Sequence, residues 1–129
     1  MRILMVSHSY PPVLSGVTLV VQKIARAMVQ RGHAVTVITG SEDGEPVTTM
    51  DQGVRLARVR SIPNPFWEDG RVPFISQNDL SEIVDDFRPD VLHCHEAALL
   101  GLQLLRVKRE TGLPMLATSY HVASFPARY

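Results

Sequence analysis

The sequence predicts an α/β fold: a parallel sheet with helices on both faces. Three observations predict it. The segment from Met1 to Gly40 reads as apolar strand, long loop, amphipathic helix and second apolar strand, a βαβ unit with a right-handed crossover. The two strand candidates, RILMVS at Arg2–Ser7 and AVTVIT at Ala34–Thr39, are apolar almost throughout rather than alternating, as strands covered on both faces are. The later part of the chain again alternates helical stripes with short apolar runs.

Taken in order, the first strand runs into a loop from His8 to Gly16, broken by Pro11 and Pro12. Val17, Val20, Val21, Ile24 and Met28 then recur at helical spacing, with Thr18, Gln22, Lys23, Arg26 and Gln30 mainly on the other side. Gly32 is a good helix stop before the second strand. Ser41 to Gln52 is polar and acidic with Gly and Pro, and reads as a surface loop. Val54–Arg60 alternates, which predicts a third strand with one face to solvent, at a sheet edge. Ser61–Pro73 holds Pro63, Pro65 and Pro73 and reads as irregular. Leu80, Ile83, Val84 and Phe87 form the stripe of a second helix, stopped before Pro89. Val91–Cys94 is the fourth strand, Ala97–Glu110 a Leu-rich third helix closed by Gly112, and Pro114–Ser119 the fifth strand. The expected strand order is 3-2-1-4-5, with the topological switch between strands one and four, so the loops after strands one, four and five converge where ligands bind in such sheets.

Bulk composition excludes several classes. With 129 residues the chain can bury a real core as one domain. Thirteen Lys plus Arg balance thirteen Asp plus Glu, so bulk charge makes no case for nucleic acid as a partner. No apolar run is long enough to span a bilayer, and the N-terminus lacks the pattern of a cleaved signal peptide. The single cysteine, Cys94, excludes an intrachain disulfide framework, fits a cytoplasmic location, and reads as a buried inert thiol. After the first strand the first glycine is Gly16 and it has no companions, so the dinucleotide fingerprint is absent, as is the P-loop pattern.

Four segments, SYPPVLSG, RGHAVTVITG, RPDVLHCHEA and LATSYHVASFP, resemble in type and order the N-terminal half of glycosyltransferase family 4. The resemblance covers nearly the whole chain and implies a Rossmann-like domain forming one half of a GT-B fold, a sugar-nucleotide donor and a retaining hexosyl transfer. Ser15-Gly16 stands where the family has Gly-Gly, and Gly16 is the glycine the family places nearest the donor. Ser15 and the Ser119-Tyr120-His121 strand end further resemble glycolipid-forming members, such as sulfoquinovosyl-diacylglycerol synthases and related mannosyltransferases.

Gly16 also has a physical case of its own. A glycine at a helix N-terminus lets an anionic or sugar oxygen approach free N–H groups. His121, after the fifth strand, can hydrogen-bond a sugar hydroxyl or phosphate oxygen, and the resemblance makes it the catalytic histidine. His95, Glu96 and Tyr120 are expected to line the cleft with Ser15 and bind substrate, while His93 reads as structural. His93, His95 and Glu96 lack a fourth ligand at metal-site spacing, and the family needs no catalytic metal, so neither metal nor other cofactor is expected. Pro65, Phe66, Trp67 and Phe74 form an aromatic cluster expected to pack on the domain, with contact to acceptor or membrane as the other reading.

The resemblance further implies that residues 1–129 are the acceptor-side domain, truncated, with the C-terminal donor-binding domain absent and the chain inactive alone. Expected partners are the sugar nucleotide, a sugar, lipid or small-molecule acceptor, the missing domain, and peripherally the inner membrane face. The uncharged fifth strand, with Val122 and Phe125 beside it, predicts self-association of the isolated chain. The alternative is a free-standing α/β module that binds a small phosphorylated ligand at the strand ends.

Overall fold

A computed structural model describes residues 1–66, 70–95 and 98–120. Its elements are β1 (Arg2–Ser7), α1 (Gly16–Gln30), β2 (Ala34–Gly40), β3 (Val47–Asp51), β4 (Val54–Val59), β5 (Ser61–Pro63), β6 (Arg71–Pro73), α2 (Gln77–Phe87), β7 (Val91–His95), α3 (Ala98–Thr111) and β8 (Met115–Thr118). The main sheet has the order β3-β4-β2-β1-β7-β8. The five strands expected from sequence keep the order 3-2-1-4-5 as β4-β2-β1-β7-β8, all parallel.

The apolar runs are explained by the two cores they serve. In β1, Leu4 and Val6 join one core with Leu80, Val84 and Phe87 of α2 and Leu100, Leu104 and Val107 of α3. Ile3 and Met5 point the other way, into a second core with Val21 and Ala25 of α1. Alternate residues of one strand thus feed opposite faces, which no polar residue could do cheaply. Each of the larger side chains contributes roughly 1.5–3 kcal/mol by leaving water, and Ala25 less.

Four local expectations are corrected. Val47–Asp51 lies in the stretch read as a loop, yet it forms a strand antiparallel to β4, joined through Gln52 and Gly53 at φ +48° and +88°. Positive φ at both central residues is the twist a two-residue hairpin needs. The strand escapes pattern reading because Val47 through Met50 are all exposed, leaving no alternation. β4 is consequently an interior strand rather than an edge, and almost entirely buried. Its polar-looking Arg58 is only 8 % exposed. In the stretch read as irregular, β5 pairs antiparallel with β6. The aromatic cluster does not pack as expected: Phe66 is 89 % exposed and Phe74 partly so, while Trp67 lies outside the described residues. Cys94 is buried, its sulfur close over Gly101. Among the described residues no helix is long and apolar enough to cross a membrane.

Candidate functional site

The strand ends form one level edge. Ser7 at the end of β1 pairs with His95 at the end of β7, and His95 pairs with Thr118 at the end of β8. The ends of these three strands therefore lie side by side, next to the switch point between β1 and β7.

The loop after β1 leads to the α1 N-terminus. Ser15 is its N-cap: the Ser15 hydroxyl accepts from the Thr18 amide at 3.1 Å, and the Thr18 hydroxyl accepts from the Ser15 amide at 2.9 Å. This capping box satisfies two backbone donors and fixes where the helix starts. Gly16 follows in an exposed position. A Cβ built there would meet nothing within 4 Å, and its φ is not in the left-handed region. The fold therefore does not require glycine at this position, and the open approach to the first turn of α1 is what the missing side chain leaves. Beside it lies a cleft of about 480 Å³ lined by His8, Ser9, Pro12, Ser15, Ser41 and Glu42, among others. The lining is mostly apolar, from Pro12 and Val13 among others, with the polar groups of His8, Glu42 and Arg71 set among it, a mixture that suits a sugar, whose ring faces are apolar and whose hydroxyls are polar. A larger groove of about 780 Å³ runs between β4 and α2, away from these strand ends.

The loop itself is held by residues that spacing gave no means of finding. Tyr10 is 1 % exposed and its ring sits in the α1-side core. Its hydroxyl donates to Asp51 at 2.6 Å, and Arg26 grips the same carboxylate through two donors at 2.6 and 3.0 Å. Burial and then the bond to Asp51 push the Tyr10 phenol well above its ordinary range, while the Arg26 guanidinium holds Asp51 below the usual carboxylate range. Arg58 donates to the Pro11 carbonyl at 2.8 Å from below the loop.

The other wall is neutral. His95 was expected to line the cleft, and the structure instead buries it fully, its Nδ1 2.9 Å from the Tyr120 hydroxyl. His93 Nε2 lies 2.8 Å from the Thr118 hydroxyl, and the two imidazole rings are 3.8 Å apart. Burial, and secondarily the neighbouring His93, push His95 down to about 4, and burial lowers His93 as well. Both are neutral at neutral pH, the form that hydrogen-bonds without repulsion between the rings. Tyr120 is partly exposed above His95. Glu96 and His121 lie outside the described residues, as do Val122 and Phe125. Among the described residues no group of three His, Cys, Asp or Glu side chains is arranged to hold a metal.

Known proteins share this chain's features. It is 32 % identical over 133 residues to a GDP-mannose-dependent alpha-mannosyltransferase of Mycolicibacterium smegmatis, covering all of this chain and 35 % of that protein. It is 26 % identical over 121 residues to the alpha-monoglucosyldiacylglycerol synthase of Streptococcus pneumoniae, covering 94 % of this chain and 26 % of the relative. A second GDP-mannose-dependent alpha-mannosyltransferase, from Corynebacterium glutamicum, is 24 % identical, with 32 % of its length covered. The chain thus spans about a third or less of these relatives. Its fold matches that of sucrose-phosphate synthase from Thermosynechococcus elongatus with a TM-score of 0.69 at 15 % identity, over 98 % of this chain and 36 % of that one. This is the Rossmann-like half expected of a GT-B fold. The profile of Glycosyltransferase Family 4 matches residues 14–128, so the chain belongs to Glycosyltransferase Family 4.

Proposed function

We propose that this chain is the acceptor-side domain of a retaining hexosyltransferase. The complete enzyme would take a sugar from a sugar nucleotide and pass it to a sugar, lipid or small-molecule acceptor, without a metal or other cofactor. The observation that carries the reading is the open α1 N-terminus at Gly16 beside a cleft of mixed apolar and polar lining, in a chain of this family. Free N–H groups there favour a phosphate or sugar oxygen, and Ser15, Gly16 and Tyr120 are the residues assigned to substrate contact. His121 is assigned to the transferred sugar as the catalytic histidine, and Glu96 to substrate contact. His95, being buried, serves substrate through the Tyr120 hydroxyl it meets. On this reading the donor-binding half would lie outside residues 1–129, and these residues alone would not catalyse transfer, because donor and acceptor must be held together. The reading places the enzyme in the cytoplasm, at most peripherally on the membrane face.

The test is a screen of the full-length protein. GDP-mannose comes first, because two relatives are named for it, followed by other sugar nucleotides, each with lipid and small-molecule acceptors and with chelator added. Transfer that persists in chelator, and that His121→Ala reduces in kcat with little loss of stability, supports the reading. Absence of transfer from every donor, together with tight binding of a small phosphorylated ligand by residues 1–129, would replace it with the free-standing binding module.

A further inference from the structure

We infer that Asp51, on the outermost strand of the sheet, is the positioning residue of the loop between β1 and α1, acting through Tyr10 and Arg26, and that Arg58 is its second anchor. The loop carries the cleft-lining residues His8, Ser9, Pro12 and Ser15. Most of its hydrogen bonds are local: Ser7 Oγ to the Ser9 carbonyl, the Val13 amide to the Tyr10 carbonyl, and Thr18 Oγ1 to the Val13 carbonyl. Local bonds close turns but do not tie a loop to the domain. Two contacts reach far along the chain and do tie it: Tyr10 to Asp51 and Arg58 to Pro11.

The geometry makes Asp51 the keystone. Asp51 pairs with Val54 at the starting end of β4, whereas the loop leaves from the finishing end of the parallel strands. The Tyr10 ring spans that distance by lying in the core between α1 and the sheet, beside Val21, Ala25, Val54 and Leu56. At its far end one carboxylate receives the Tyr10 hydroxyl and the Arg26 fork, with Gln22 nearby at 3.4 Å. One anion therefore joins the loop, the third turn of α1 and the edge hairpin, and charge-assisted bonds of this kind are the strong ones. β3 itself adds little to the core: Asp51 is its only residue that is not exposed. What this strand delivers to the domain is that carboxylate. The raised Tyr10 phenol and the lowered Asp51 carboxyl agree with a stable donor and acceptor at neutral pH. Arg58 completes the hold by reaching the Pro11 carbonyl, with the Gly40 carbonyl at 3.5 Å and Glu42 at 3.8 Å.

The experiment is local amide exchange on the full-length protein, with Tyr10→Phe, Asp51→Asn and Asp51→Ala. Asp86→Ala is the control, because it removes an exposed carboxylate paired with Arg55 far from the loop. Tyr10→Phe keeps the apolar plug and loses only the hydroxyl. Expected is a rise of about tenfold or more in exchange at residues 8–16 in Asp51→Ala, a smaller rise in Tyr10→Phe and Asp51→Asn, and none in Asp86→Ala, with the interior amides of α1 unchanged in all four. The Tyr10→Phe/Asp51→Ala double variant should match Asp51→Ala alone, as for two residues acting in one contact. Unchanged exchange at residues 8–16, or a rise shared equally by the loop and the interior of α1, would overturn the assignment. A second arm rests on the acceptor-side reading above: Tyr10→Phe should raise acceptor KM several-fold while kcat holds. If no transfer is found with any donor, that arm falls with that reading and the exchange result decides this one.

Discussion

The two walls of the strand-end edge are built on opposite electrostatic principles. On the β1–α1 side the loop is tied down by ions: Asp51 with Arg26 and the Tyr10 hydroxyl, and Arg58 under the Pro11 carbonyl. On the β7–β8 side the contacts are made by neutral groups: His95 with Tyr120 and His93 with Thr118. The difference comes from solvent access. Asp51 and Arg26 keep 18 % and 30 % of their side chains exposed, enough to retain charge at modest cost, whereas His95 is sealed and loses its proton instead. A wall held by ions withstands mild acid, and a wall held by buried neutral histidines does not.

The most damaging way to break the first wall is Tyr10→Ala. It empties a site 1 % exposed and strands the ion pair at its rim, so a loss of about 3–5 kcal/mol is expected in urea unfolding of the domain. Tyr10→Phe should cost far less, about 1 kcal/mol, because only the hydrogen bond is lost.

The second wall is broken by acid. His95 binds its proton at about 4 in the fold and near 6.5 when unfolded, so between those values the unfolded chain takes up more protons. Its contribution to stability is full above about pH 6.5 and is lost as pH falls through about 4, to a total of about 3 kcal/mol. Stability measured against pH should show that limb, and His95→Gln should flatten it. Asp51 works with the opposite timing. Its folded carboxyl lies below its unfolded value, so its contribution stays intact through this window and is lost only as pH drops through and below the ordinary carboxylate range. A variant Asp51→Asn that altered the limb between pH 6.5 and 4 would contradict the contrast between the walls.

The smallest expected effect on stability sharpens the comparison most. Gly16→Val adds side chain into open space, so the unfolding free energy should change by no more than about 0.5 kcal/mol. Transfer by the complete enzyme should nevertheless fall steeply, because the valine would cover the first turn of α1. Near-normal turnover in Gly16→Val would remove Gly16 from the site.

Much of this was legible in the chain itself. RILMVS and AVTVIT read as strands covered on both faces, the loop ending at Gly16 and the stop at Gly32 bracketed α1, and the order of five parallel strands was expected from the succession of elements. The motif segments placed the chain in its family before any geometry was known. β3 was illegible because an exposed edge strand has no hydrophobic period to read, and its presence turned β4 from an edge into an interior strand. Alternation puts Arg58 on the same face as Val54 and Leu56, but spacing along the strand cannot say that the Pro11 carbonyl of a distant loop would meet it there.

What the sequence by itself determined was local and periodic: which segments are apolar on both faces, where helices start and stop, and which family the motifs belong to. Tertiary structure alone decided which distant polar residues meet. Tyr10, Arg26 and Asp51 are brought together only after α1 has packed on the sheet and the β3–β4 hairpin has joined its edge, and His95 becomes neutral only once it is buried. Charge pairing and desolvation depend on distance and on water, and neither is written in spacing along the chain.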